Sequence, residues 1–221
     1  IPHLHLQGKT LGMIFEKVST RTRVSFEAGM YQLGGHALFL SARDLQMFRG
    51  EPVEDTARTL SRYVSGLMIR TFDQGEVDNF ARYATIPVIN GMTDFAHPCQ
   101  VLADLMTVRE YKGSLEGLKM AYIGDGNNMC NSLIVGALLT GMRISVACPK
   151  GYEPAPDVLA FAESYGDAFE LTHDPVKAAE NADDVQTDVW VSSGMESQSE
   201  QRHRDFAGYS VTQDVMAAAR D

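Results

Sequence analysis

Leu11-Gly12-Met13-Ile14-Phe15, then Glu16-Lys17-Val18-Ser19-Thr20, then residues 21–33, Gly34-Gly35 and Ala37-Leu38-Phe39-Leu40 decide how the chain is read. Two short apolar runs flank a stretch in which Phe26, Met30 and Leu33 recur at i, i+4 and i+7, the spacing of one helical face. Gly34-Gly35 is the helix stop. A strand, a helix and a second strand in this order pair their strands in parallel, because the intervening helix carries the chain back across the sheet.

The same rhythm runs outward from that unit. Strands are expected over 67–70 and 87–90, with helices over 53–64 and 74–83 between and around them. A longer helix is expected over 97–111. The alternation then restarts, with strands over 120–123, 144–148, 169–171 and 188–191 and helices over 128–139, 157–164 and 175–180. The fold class is therefore α/β, as two doubly wound parallel-sheet domains joined by the long helix. The division is placed at 1–110 and 111–221. In such sheets ligands sit at the carboxyl ends of the strands, so the chemistry is sought there.

Composition narrows the function. The 221 residues carry a formal net charge of −10 at pH 7, which argues against a general binder of nucleic acid. A small anion would need a local arginine cluster working against that global charge. No apolar run approaches the ~20 residues that span a bilayer, and the first residues lack the basic start and apolar stretch of a signal peptide. Cys99, Cys130 and Cys148 are widely spaced, with neither a disulfide framework nor metal-ligand spacing, so a reduced, cytoplasmic setting and no metal are expected.

Ser19-Thr20-Arg21-Thr22-Arg23 opens the first helix directly after a strand. Two hydroxyl residues offer N-caps, the free N–H groups of the first turn favour an anion, and Arg21 and Arg23 add forked guanidiniums suited to phosphate oxygens. An ordinary capped helix with two surface arginines is the competing reading. Farther on, His97-Pro98-Cys99-Gln100 places Pro98 at a first helical position and sets His97 and Gln100 three apart, able to share a face. A neutral imidazole polarises a carbonyl oxygen, and the Gln amide oxygen accepts from an NH₂ group. Arg70 closes the apolar run Met68-Ile69-Arg70, where a sheet meets water or a ligand.

Ser19-Thr20-Arg21-Thr22-Arg23 with Val24-Ser25-Phe26-Glu27 resembles the carbamoyl-phosphate signature of the aspartate/ornithine carbamoyltransferase family. Leu33-Gly34-Gly35-His36, Glu54-Asp55-Thr56-Ala57-Arg58 with Leu60-Ser61-Arg62-Tyr63, Pro87-Val88-Ile89-Asn90-Gly91 and the His97 motif follow at the family's spacing, so the resemblance covers essentially the whole chain. It implies carbamoyl transfer to ornithine without metal or other cofactor. Carbamoyl phosphate would be bound by Ser19, Thr20, Arg21, Thr22, Gln46, Arg70, His97 and Gln100, with catalysis by Arg21, Thr22, Arg70 and His97. It also implies a homotrimer in which the loop bearing Gln46 reaches a neighbouring subunit; Phe48 stands in that loop where the family usually has Gly.

Gly124-Asp125-Gly126-Asn127-Asn128 follows a strand and precedes a helix. Read alone it admits a dinucleotide-binding turn, but the third glycine of that fingerprint is missing. The resemblance implies instead that Asn128, Asp188, Ser192 and Ser193 bind ornithine, Asp188 facing the α-ammonium. Ser192-Ser193-Gly194 departs from the family's Ser-Met-Gly, which leaves another amine such as putrescine, or a catalytically silent homologue, as alternatives. The chain begins without Met and ends before a strand and a late Arg that the family pattern contains, so truncation at both ends and an incomplete second domain are expected.

Overall fold

The structure is a computed structural model that describes residues 3–192 and 194–220. By packing, the chain divides into two compact units, Ile1–Cys99 and Gln100–Asp221.

In the first unit, strands β1 (Thr10–Phe15), β2 (His36–Ser41), β3 (Gly66–Arg70) and β4 (Val88–Met92) form a parallel sheet in the order β2-β1-β3-β4. Helices α1 (Arg21–Gln32), α2 (Val53–Leu60) and α3 (Gln74–Tyr83) connect them. Strand β1 is buried on both faces. Leu11, Met13 and Phe15 pack with Met30 and Met68, while Ile14 packs with Ala57, Leu67, Ile69 and Phe80. Two apolar faces on one central strand require cover on both sides, the physical content of a doubly wound sheet. The expected stop of α1 is present: Gly34 takes φ +82°, and the Gly34 and Gly35 N–H groups donate to the Tyr31 and Met30 carbonyls.

In the second unit, β5 (Lys119–Ile123), β6 (Arg143–Ala147), β7 (Phe169–Thr172) and β8 (Asp184–Thr187) form a parallel sheet in the order β7-β6-β5-β8. Here α4 (Pro98–Lys112), α5 (Asn128–Leu139) and α6 (Pro156–Glu163) cover Met120, Tyr122, Ile144 and Val146; α7 (Pro175–Ala179) and α9 (Gln213–Ala218) cover Ala121, Ile123 and Ala147. A further short helix, α8 (Ser199–Asp205), lies between β8 and α9 and is absent from the sequence expectations, as is α9. Val101, Leu105 and Val108 of α4 belong to the second core, and by packing the second unit begins at Gln100.

One strand needs correction. The apolar run over 188–191 is not a strand; β8 is Asp184–Thr187, in register with Met120–Ile123. As an edge strand with no fully buried residue, β8 lacks the apolar run that marks a central strand, and the run after it belongs to the loop beyond the sheet. Asp188 thus stands just past the carboxyl end of β8. No helix among the described residues is long and apolar enough to cross a membrane.

Candidate active site

At the carboxyl end of β1 the chain turns through Glu16–Thr20 into α1. Ser19 Oγ accepts from the Thr22 N–H at 3.2 Å, satisfying a first-turn donor, while the Thr20 side chain makes no capping bond. Arg70 ends β3 opposite Phe15, and its guanidinium donates to Thr22 Oγ1 at 3.2 Å. Its Nε is buried without a hydrogen-bond partner among the described residues. Burial, then the neighbouring Arg21 guanidinium, lower the Arg70 pKa, with Cys99 acting the other way. Among the described residues neither Arg21 nor Arg70 forms an ion pair. Two like charges gathered at a helix N-terminus are held at a cost that an oxyanion would relieve.

Arg23 does not join them. It pairs with Glu27 at 3.0 Å and lies 3.7 Å over the Phe39 ring, so its guanidinium fastens α1 to β2. Gln46 sits on an exposed 3-10 turn, Gln46–Arg49, and no hydrogen bond among the described residues joins it to Ser19, Thr22 or Arg70.

Sequence reading missed the network behind the turn. Lys17 is buried, ion-paired with Asp94, and 4.2 Å over the Phe72 ring. The Glu16 N–H donates to the Arg70 carbonyl at 2.9 Å, and the fully buried Thr71 hydroxyl contacts Glu16 and, at 2.6 Å, Glu76. Burial first, and then the Glu16 charge against the opposing bond from Thr71, raise the Glu76 pKa. All these residues lie one or two positions past a strand or in the next helical turn. That position was the available signal.

His97 immediately precedes α4. The preceding turn is set by Thr93, whose hydroxyl accepts from Ala96 N–H at 3.0 Å and donates to Gln74 Oε1 at 2.8 Å. In the second unit, Gln100 Nε2 donates to Asp104 Oδ1 at 2.8 Å, which turns the amide oxygen away from Asp104. Burial, opposed by that bond and reinforced by Asp188, raises the Asp104 pKa.

At the carboxyl end of β5, Gly124 takes φ +148° and Gly126 presses against backbone: an added Cβ would lie 2.4 Å from Tyr152 O and Pro154 N. This second glycine therefore serves close packing within the unit, which removes the feature that suggested a dinucleotide turn. Asn127 Oδ1 caps α5 by accepting from Met129 and Cys130 N–H, and its Nδ2 donates to Asp188 Oδ2 at 3.0 Å. Asn128 is the first residue of α5. Asp188 and Ser192 are half-buried beyond β8, whereas Ser193 lies outside the described residues. The structure thus brings Asn127, Asn128 and Asp188 together at the strand ends.

Comparison with known proteins gives one consistent picture. Residues 2–110 match the carbamoyl-P binding domain of aspartate/ornithine carbamoyltransferase, and residues 116–221 match its Asp/Orn binding domain. The ornithine carbamoyltransferase of Thermococcus kodakarensis is 52% identical over 99% of this chain and 71% of its own length. That of Carboxydothermus hydrogenoformans is 54% identical over 97% of this chain and 70% of its own. The solved ornithine carbamoyltransferase of Pyrococcus furiosus superposes with a TM-score of 0.93 at 52% identity, covering 99% of this chain and 71% of that one.

Proposed function

The chain belongs to the aspartate/ornithine carbamoyltransferase family, and from that membership we infer how its residues divide the work. It transfers the carbamoyl group of carbamoyl phosphate to the side-chain amine of L-ornithine, giving L-citrulline and phosphate. The observation that carries the assignment of its first-substrate site is the Arg70 to Thr22 contact beside Arg21, with a buried Arg70 Nε that has no hydrogen-bond partner among the described residues.

Carbamoyl phosphate binds first. Its phosphate oxygens are held by the first-turn N–H groups of α1 and by Ser19, Thr20, Arg21 and Thr22, with Gln46 supplied by a neighbouring subunit of a homotrimer. The exposed 3-10 turn bearing Gln46 and Phe48 agrees with a loop that meets another chain. Thr22, Arg70 and His97 donate to the carbonyl oxygen, and Gln100 Oε1 accepts from the carbamoyl NH₂. Asn128, Asp188, Ser192 and Ser193 hold ornithine. The deprotonated side-chain amine then attacks the carbonyl carbon, the C–O bond to phosphate breaks, and the proton that the amine loses passes to the departing phosphate. No metal, nucleotide or covalent enzyme intermediate takes part. Orientation and charge stabilisation supply the rate, each oxyanion donor being worth about 3–4 kcal/mol. A cytoplasmic enzyme of arginine biosynthesis is the setting this reading supports.

Citrulline formation by the wild type and by Arg21→Ala, with ornithine and putrescine offered separately, tests the reading. Activity with ornithine, and a loss of several orders of magnitude in the variant, is expected. A loss under tenfold removes Arg21 from the site, and turnover of putrescine in preference to ornithine overturns the acceptor.

A further inference from the structure

Arg202 of α8 is a cation that the reaction does not use, and it is buried. Its guanidinium donates through one nitrogen to Asp125 Oδ2 at 2.6 Å and to the Trp190 carbonyl at 2.9 Å, while Nε donates to Gln198 Oε1 at 3.2 Å. The side chains of Arg202 and Asp125 are only 9% and 7% exposed. Aromatic rings enclose the pair: the guanidinium lies 5.0 Å from the Tyr152 ring centroid, and Phe206 packs against both Tyr152 and Trp190.

A buried ion pair is weak evidence for stability, because removing two charges from water offsets most of their attraction. What such a pair does well is fix geometry. Here the geometry concerns two segments: the turn 124–128 after β5 and the stretch 188–192 after β8. The second belongs to no sheet, having left β8 at Thr187. Asn127 links the segments at Asp188, and Arg202 links them again through Asp125 and Trp190, flanking Asp188 from the other side in sequence. Tyr122 OH donates to the Asp125 carbonyl, so the carboxylate that Arg202 grips is on a backbone already fixed to β5.

We propose that Arg202 is a positioning residue for the acceptor amino acid, holding the Asp188 segment in register with Asn128 by bridging Asp125 and the Trp190 carbonyl. The inference rests on ornithine binding at Asn128 and Asp188. Arg202 touches no substrate; it sets the separation of the two groups that do. Its loss therefore weakens acceptor binding and leaves the carbamoyl phosphate site, built from other elements, intact.

The test is steady-state kinetics of Arg202→Met, Arg202→Lys and Asp125→Asn, with calorimetric binding of carbamoyl phosphate to each. Arg202→Met is expected to raise KM for ornithine at least tenfold, with kcat within about threefold of wild type and carbamoyl phosphate affinity unchanged. Arg202→Lys keeps the charge and one nitrogen for Asp125 and the Trp190 carbonyl but loses the Nε bond to Gln198, and should fall between. Asp125→Asn keeps the side-chain size and tests the same bridge should Arg202→Met fail to fold. An unchanged KM for ornithine in a folded variant overturns the proposal, and so does a parallel loss of carbamoyl phosphate binding. If the wild type turns over another amine instead, the acceptor assignment fails by itself, and the KM of that amine still reports on Arg202.

Discussion

Single residues in this protein act through what they are forbidden to do as much as through what they bind. Gln100 reads in the sequence as a partner for a carbamoyl NH₂, and the structure adds what orients its amide. Asp104, one helical turn on, accepts from Gln100 Nε2 and so turns Oε1 away from itself, the orientation that the proposed contact with the carbamoyl NH₂ needs. The arrangement holds while Asp104 is ionised, since a protonated carboxyl can donate and would accept the reversed amide equally well. Burial, with Asp188 adding to it, raises the Asp104 pKa, so protonation begins at a higher pH than for an ordinary aspartate. Affinity for carbamoyl phosphate is thus expected to fall as pH falls through that raised value. Asp104→Asn, whose amide offers both donor and acceptor, should weaken carbamoyl phosphate about tenfold near neutrality and flatten the acid limb. A pH series of KM for carbamoyl phosphate on both proteins checks this, and an acid limb retained in the variant assigns it elsewhere. The same scale explains one misreading: Arg23 has the residue type and spacing of a phosphate ligand, yet Glu27 four residues on and the Phe39 ring take its guanidinium.

Elements were legible where burial on two faces writes a continuous apolar run. Strands β1, β3, β5 and β6 are of this kind, and so is the helix stop at Gly34-Gly35. Strand β8 was misplaced because Asp-Val-Gln-Thr at a sheet edge has no such run, while Val189-Trp190-Val191 beyond it does. The polar network of Lys17, Asp94, Thr71 and Glu76 was missed for a related reason: its partners come from different strand ends, and no local pattern records which ends are adjacent. The N-terminus of α5 shows how one residue ties an element to the site. Asn127 caps the helix with its oxygen and reaches Asp188 with its nitrogen. Asn127→Asp keeps the cap and, by the helix dipole, leaves the helix unharmed, but sets a carboxylate against Asp188. Asn127→Ala loses both. Thermal unfolding should therefore show a loss of about 1 kcal/mol for the alanine variant and less for the aspartate. KM for ornithine should rise in both. Equal melting temperatures for the two variants would show that the cap contributes nothing.

Across the whole molecule the charge balance makes stability depend on pH in a direction fixed by which carboxyls are buried. Asp104 and Asp184 line one cavity of about 200 Å³ together with Asp183 and Lys112. Burial raises the pKa of Asp184, as it does those of Asp104 and, in the other unit, Glu76. A carboxyl whose folded pKa is raised binds its proton more tightly folded than unfolded. Its contribution is complete below the ordinary carboxylate value and is lost as pH rises through the folded value. Glu170 is the opposite case: the bond from Lys177 lowers its pKa, so its contribution is present above the ordinary value and lost as pH falls. The raised carboxyls of Glu76, Asp104, Asp125 and Asp184 oppose the lowered ones of Glu170, Asp183, Glu196 and Asp205, and the net charge of −10 tips the balance by adding self-repulsion once every carboxylate is ionised. The melting temperature should therefore be highest on the mildly acid side, near pH ~5–6, and decline toward pH ~8. Added salt screens the repulsion between exposed charges over about 10 Å at 0.1 M and recovers only that part. The remainder belongs to the buried carboxyls and should shrink in Glu76→Gln combined with Asp184→Asn, which carry no proton to lose, while Asp104 still titrates. Scanning calorimetry of both proteins over this range, at low and high salt, separates the two contributions. A decline that salt abolishes entirely would assign it to surface repulsion, and a double variant that keeps the high-salt slope would place the titrating groups elsewhere in the fold.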